Sequence, residues 1–205
     1  LFDKSISKIT VLTDAVPSQY VEPIDLEMVL TIPNEIEINL VLDESNSFGI
    51  LENEWQNYLK KENINIIKVA SLGKAIGISG GVIAGNESFI SEIKNQASFI
   101  GAAGMNPAFL ETYCNAQEIY FLQKQKLQEN LKYIDTHFTN RALFTYHPNY
   151  PIIYFEEDFI SKKLLENKII TTSFKYTNAS GRLNRIVITA NHSIDDIKQL
   201  ISHLS

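Results

Sequence analysis

Ser71-Leu72-Gly73-Lys74-Ala75-Ile76-Gly77-Ile78-Ser79-Gly80-Gly81 follows directly on the apolar run Ile64 to Ala70. A β-rich run bounded by polar residues predicts a strand over 64–70. The chain then turns through Gly73, Gly77, Gly80 and Gly81, with Lys74 between the first two. Glycine lets a backbone take positive φ and pass close to a ligand. The Ser71 hydroxyl, three residues before Lys74, can bond a phosphate. The turn is not a Walker A loop, because Ala75 stands where Ser or Thr must follow the lysine. On spacing alone, a surface turn with a solvated lysine accounts for the stretch equally well.

Working outward, Ile9 to Thr13 and Ile38 to Leu42 are two further β-rich runs, ending at Asp14 and Asp43. Val82 to Ala84 predicts a fourth strand, and Asp25 to Leu30 a short helix ahead of Pro33. Strands alternating with helical or irregular connections give an α/β sheet. In such sheets the chemistry gathers at the carboxyl ends of parallel strands. Asp14, Ser18, Asp43 and Ser71 all follow such ends. A carboxylate at Asp43 can keep an aromatic ring nitrogen protonated, or simply cap the next turn.

From Pro107 to Lys132, Phe109, Tyr113, Ala116, Tyr120 and Leu127 recur at helical spacing, predicting one long helix. Beyond it, short strands are expected at Leu143-Phe144 and Ile152 to Phe155, a helix at 158–167, and a strand at 185–189. A final helix starts at Ser193, with Asp196 completing a capping box. Two domains follow: 1–132, including the long helix, and 133–205, a small α+β unit. Trp55 and Tyr58 are expected to pack a helix after Gly49. Cys114 is expected to be buried and inert, and His192 to make a structural hydrogen bond.

The 205 residues are 44% apolar and 20% charged, with a net charge of -6, values of an ordinary globular chain rather than a disordered one. An acidic chain without a dense Lys/Arg cluster is a poor nucleic-acid binder. No apolar run approaches the ~20 residues that span a bilayer. A single cysteine makes neither an internal disulfide nor a zinc cage, so a reduced, cytoplasmic setting is the default, and no metal site is expected.

Taken in order, Asp14-Ala-Val-Pro-Ser18, Asp43-Glu-Ser-Asn-Ser-Phe-Gly49, Ser71-Leu-Gly-Lys-Ala-Ile-Gly77 and Gly80-Gly-Val-Ile-Ala-Gly85 resemble the α-oxoamine synthases. The match continues through Met105-Asn-Pro-Ala108 and Arg185-Ile-Val-Ile-Thr-Ala-Asn-His192, covering nearly the whole chain. The resemblance implies fold type I of the pyridoxal phosphate (PLP) enzymes. This chain would be the C-terminal half of an aspartate-aminotransferase-like large domain, followed by the small α+β domain. It further implies PLP as cofactor, an amino acid and an acyl-CoA as substrates, and a homodimer. Lys74 would be the catalytic lysine, joined covalently to PLP and later moving protons at the substrate α-carbon. Asp43 would pair with the pyridine nitrogen, Ser18 with the phenolic oxygen and Ser71 with the phosphate. Arg185 would hold the substrate carboxylate.

The chain also departs from that family. Asn46 stands where a histidine usually follows the aspartate; it can hydrogen-bond to the cofactor but cannot titrate. Ala102 and Ala103 replace a hydroxyl usually offered to a partner subunit's phosphate. Arg182 is displaced by one position from the family's Arg-x-Arg pattern. The family's first half precedes the position of Leu1, so a missing N-terminal half is expected as partner, and the fragment alone is expected to be inactive. Three activities stay open: the decarboxylative synthase, an aminotransferase or other fold-type-I reaction using a 2-oxo acid, and a non-catalytic scaffold.

Overall fold

The computed structural model describes residues 5–51, 61–175 and 182–204. The expected strands form: β1 (Lys8–Asp14), β2 (Glu37–Asp43), β3 (Ile64–Ser71) and β4 (Gly81–Ala84). They make one sheet in the order β1-β2-β3-β4. β1, β2 and β3 run parallel, which brings Asp14 beside Asp43 at the carboxyl end. β4 returns antiparallel, with Gly81 opposite Ser71. Along β2 the side chains alternate, and Ile38, Leu40 and Leu42 are fully buried. They pack with Leu26, Val29 and Ile32 around the short helix α1 (Glu27–Leu30). That helix begins two residues later than expected, because the Asp25 carboxylate accepts from the Glu27 N–H at 2.8 Å and turns the chain before it coils.

After β4 come α2 (Glu87–Lys94), α3 (Ala97–Ile100), α4 (Pro107–Asn115) and α5 (Gln117–His137). The sequence reading had no α2 or α3. Asn86 caps α2 by accepting from the Phe89 N–H at 2.8 Å. The single helix expected over 107–132 is two helices. At Ala116 the backbone leaves helical geometry, and the Gln117 side-chain amide donates to the Tyr113 carbonyl at 2.7 Å, where the Gln117 main-chain N–H belongs in an unbroken helix. α5 then runs on past Lys132 to His137.

The described residues divide into two compact units: those through Pro17 with Pro23–Gln117, and Ser18–Glu22 with all from Glu118 onward. The body of α5 counts with the second, whereas the sequence boundary at 132/133 left most of it with the first. Leu131 and Ile134 of α5 lie in the core of the second unit.

That second unit carries the sheet β5 (Thr145–Tyr146), β6 (Ile152–Phe155), β8 (Leu183–Val187), β7 (Thr172–Phe174), in that spatial order and antiparallel throughout. Ile153, Phe155 and Ile186 face a core closed by α5, α6 (Asp158–Glu166) and α7 (Ile194–Leu204). β5 sits two residues later than expected: Phe144 closes a turn onto the Arg141 carbonyl and puts its ring against Phe138 and Phe155. β8 ends earlier than expected, where Thr189 and His192 close a turn. β7 was not expected at all. The Ser193–Asp196 capping box forms: the Ser193 hydroxyl accepts from the Asp196 N–H, and the carboxylate accepts from the Ser193 N–H at 2.8 Å. Trp55 and Tyr58 lie outside the described residues.

Candidate active site

β2 delivers Asp43 half-buried at the sheet's carboxyl end. Its carboxylate accepts from the Ser45 N–H at 2.8 Å, and the Ser45 hydroxyl accepts from the Ser71 N–H at 2.8 Å. Two side chains therefore tie the ends of β2 and β3 together. The Ala15 N–H donates to the Asp43 carbonyl at 2.8 Å, which fixes the end of β1 against the same residue. One bond engages the carboxylate's capacity only in part, since a carboxylate accepts about four.

The lysine turn is closed across its base, with Leu72 N–H on the Gly80 carbonyl at 2.9 Å and Ile78 N–H on the Leu72 carbonyl at 3.0 Å. Gly80 has φ +147°, a conformation that favours glycine, and a Cβ there would lie 2.8 Å from the Met105 sulfur, so that side chain would have to shift. Gly49, at φ +81°, comes equally close to Ile76: a Cβ there would lie 2.9 Å from its Cδ1. The turn after Asp43 thereby packs on the turn that carries Lys74. Lys74 Nζ donates to Asn46 Oδ1 at 2.7 Å, and Asn46 Nδ2 donates to the Val16 carbonyl at 3.0 Å. The Val16 carbonyl thus sets the amide so that its oxygen faces the amine. Asp43, Ser45 and Ser71 make one hydrogen-bonded group, and Val16, Asn46 and Lys74 make another beside it, with Gly49 packed on Ile76 between the two turns. The Ser71 hydroxyl accepts from the Gly73 N–H at 3.3 Å.

Ser18 and Arg185 belong to the other unit. The Ser18 carbonyl accepts from the buried Tyr154 hydroxyl. Arg185 is half-buried on β8; its Nε donates to Thr172 Oγ1 at 3.3 Å, and its guanidinium lies 5.3 Å from the Phe174 ring centre. β7 thus holds the guanidinium from one side by a hydroxyl and an aromatic face. Nearby, Tyr150 is buried, and burial first, then the charge of Tyr154, push its phenol up to about 12 against the opposing pull of Arg185. It stays protonated at neutral pH.

The sequence reading missed Ser45, Val16, Thr172, Phe174 and Tyr154. Ser45 could have been found, since it lies in the Asp43–Gly49 stretch. The others act through backbone carbonyls or cross-strand register. Two further expectations meet the structure differently. His192 accepts from the Thr189 N–H at 3.1 Å, as expected of a structural histidine. Cys114 is exposed rather than buried, because α4 buries none of its residues. An open cleft of about 480 Å³ runs beside Asp43 and Ser45, walled by Val69, Val82, Ile90 and Phe99. Lys74 is not part of its lining. Among the described residues no helix is long and apolar enough to cross a membrane, and no group of three His, Cys, Asp or Glu is placed to hold a metal ion.

The model of the family "aminotransferase class I and II" matches residues 19–204, and the chain belongs to that family. A putative 8-amino-7-oxononanoate synthase of Methanococcus vannielii is 28% identical, the alignment covering 97% of this chain and 57% of that protein. Among solved structures, 8-amino-7-oxononanoate synthase from Francisella tularensis aligns with a TM-score of 0.73 at 22% identity, covering 97% of this chain and 62% of that one. Serine palmitoyltransferase from S. paucimobilis, carrying PLP and myriocin, aligns at 0.79 with 14% identity, covering 96% and 54%. The fold is therefore the α/β fold of the type I PLP enzymes. The chain spans about half the length of the curated relatives it matches.

The residues at the sheet's carboxyl end fit PLP by type. The cofactor carries an aldehyde, a ring nitrogen and a phosphate. An amine, a carboxylate with accepting capacity left and a hydroxyl stand at neighbouring strand ends as Lys74, Asp43 and Ser71. The amine is held by a neutral amide oxygen, which releases it more readily than a carboxylate does.

Proposed function

We propose that this chain is the C-terminal half of a PLP-dependent acyl-CoA:amino-acid C-acyltransferase, which joins an amino acid to an acyl group and releases CO2 and CoA. The observation that carries this reading is that two hydrogen-bonded groups, Asp43 with Ser45 and Ser71, and Asn46 with Lys74, stand at the ends of parallel strands. The relatives' names support the reaction class. When bound, PLP supplies an electron sink for negative charge at the substrate's α-carbon. Asp43 accepts a hydrogen bond from the protonated ring nitrogen and keeps it protonated. The Ser71 hydroxyl donates to the phosphate. Lys74 Nζ, poised by Asn46, anchors the cofactor and takes the proton from the α-carbon. Asn46 lends a hydrogen bond at the cofactor's edge without titrating. Ser18 donates to the phenolic oxygen. Arg185 binds the amino acid's carboxylate through two parallel N–H···O bonds, its orientation preset by Thr172 and Phe174. The N-terminal half completes the large domain. The full-length enzyme works as a cytoplasmic homodimer, and the fragment alone is inactive.

The test is covalent. The full-length protein is mixed with PLP and reduced with borohydride, and its peptides are mapped by mass. The expected result is a pyridoxyl group on Lys74, lost in Lys74→Ala. CoA thiol should then appear with an acyl-CoA and an amino acid. Keto-acid formation with a 2-oxo acid acceptor would reassign the protein as an aminotransferase. No label on Lys74 would leave a scaffold of the same fold.

A further inference from the structure

Tyr154 is placed to organise both of the candidate site residues that lie in the second unit. In β6 it sits opposite Arg185 of β8, and Arg185 sits opposite Thr172 of β7. Neighbours Ile153, Phe155 and Ile186 point into the helix-covered core. Side chains alternate along a strand, so Tyr154, Arg185 and Thr172 form a row on the other face of the small sheet. On that face Tyr154 is only 2% exposed. Its hydroxyl donates to the carbonyl of Ser18, 136 residues earlier in the chain. Ser18 opens the short segment Ser18–Glu22, which alone of the N-terminal half of the chain groups with this unit. Within it Val21 is 5% exposed, so the segment is seated as well as tethered.

We infer that Tyr154 is a positioning residue: its hydroxyl anchors the Ser18–Glu22 segment, and its ring stands beside Arg185 in the same cross-strand row. One side chain thereby sets the Ser18 main chain and flanks the guanidinium. This rests on the reading above for the roles of Ser18 and Arg185, and not for the anchor itself. Thr172 restrains Arg185 from the β7 side, so Tyr154 acts mainly on the Ser18 segment and the spacing between the two groups.

Tyr154→Phe removes the hydroxyl and keeps the ring packed. In the full-length protein, hydrogen exchange should show amide protection over 19–22 falling by roughly tenfold, the worth of one hydrogen bond. Protection in β6 and β8 should hold. Tyr146→Phe serves as control, because its buried hydroxyl has no hydrogen-bond partner; it should leave 19–22 unchanged. In PLP-loaded protein, a spectral titration with the amino acid should show affinity weakened about tenfold in Tyr154→Phe. The fraction of Lys74 labelled by borohydride should stay the same. Unchanged protection over 19–22 overturns the anchor. Lost protection with unchanged amino-acid affinity overturns the positioning role. If wild-type protein takes no label at Lys74, the cofactor reading falls, and the exchange result alone then decides the anchor.

Discussion

In the second unit α5, α6 and α7 each bury apolar residues in one core, with Ile134, Leu164 and Ile197 at 1% exposure or less. In the first, α2, α3 and α4 bury nothing, and β4 is exposed along its length. β1, at the opposite edge, buries none of its side chains, and its Leu12 is 73% exposed. Among the described residues the apolar core there gathers β2, the α1 region, Ala15 and the start of β3, with Ile9 and Val11 of β1 packed against it. An amphipathic helix with no buried residue and a sheet with two bare edges are surfaces awaiting cover. The second unit gathers its helices on one core, while Ile119, Phe121, Leu122, Phe159 and Leu165 stay exposed on it. The first unit leaves more of its described elements without a buried residue, and the chain spans about half the length of the curated relatives it matches.

Two phenylalanines put numbers on this contrast. Phe138→Ala should cost the second unit about 3–5 kcal/mol, read from its urea midpoint, because the ring is 1% exposed and packs edge-on against Phe144. Phe99→Ala, at 50% exposure, should change the 205-residue chain by no more than ~0.5 kcal/mol. In the full-length protein the Phe99 cost should rise; an equally small cost there would mean the face stays bare.

A second comparison lies inside the first unit's closed part. Glu44, 2% exposed, pairs with Lys68 at 3.1 Å. Lys68→Met should destabilise by about 3–5 kcal/mol, since it removes the cation paired with a buried carboxylate. Adding Glu44→Leu should recover most of that loss in the same urea titration. A mild effect of Lys68→Met would show that Lys68 is not what holds the buried Glu44 carboxylate.

The smallest effect belongs to the second unit's surface. Hydrogen bonds from Ser193, first through its hydroxyl and then its backbone, hold the Asp196 carboxyl below the ordinary value. A lowered folded value adds stability above the unfolded value and loses it as pH falls through the folded one. Ser193→Ala should therefore raise the Asp196 midpoint in an NMR titration and flatten the acid limb of the stability curve. The cap itself is worth about 1 kcal/mol.

The strands β1, β2 and β3 were legible because their apolar runs stop sharply at Asp14, Asp43 and Ser71. The break at Ala116 was not, since alanine is the best helix former and the cause is a side chain one residue on. β7 was illegible for a related reason: three residues become a strand only by pairing with β8. Cys114 was misread because burial follows from what covers a helix, and α4 lacks a cover. In the site, the motifs exposed Lys74, Asp43, Asn46 and Ser71 by residue type. The Val16 carbonyl carries no residue signature, and Tyr154 meets Ser18 only through the fold.

The parallel register of β1 to β3 has a consequence in time. Contacts between β1 and β2 join residues 29 apart, and those between β2 and β3 join residues 26 apart. No hairpin can shorten these searches, so each strand must close a long loop before its first bond forms. Non-local pairing of this kind slows folding and leaves apolar strands uncovered while they wait. The sheet that carries Lys74 is thus the late-assembling, aggregation-prone part of the newborn chain. β5 with β6, paired across a short turn, can gather first.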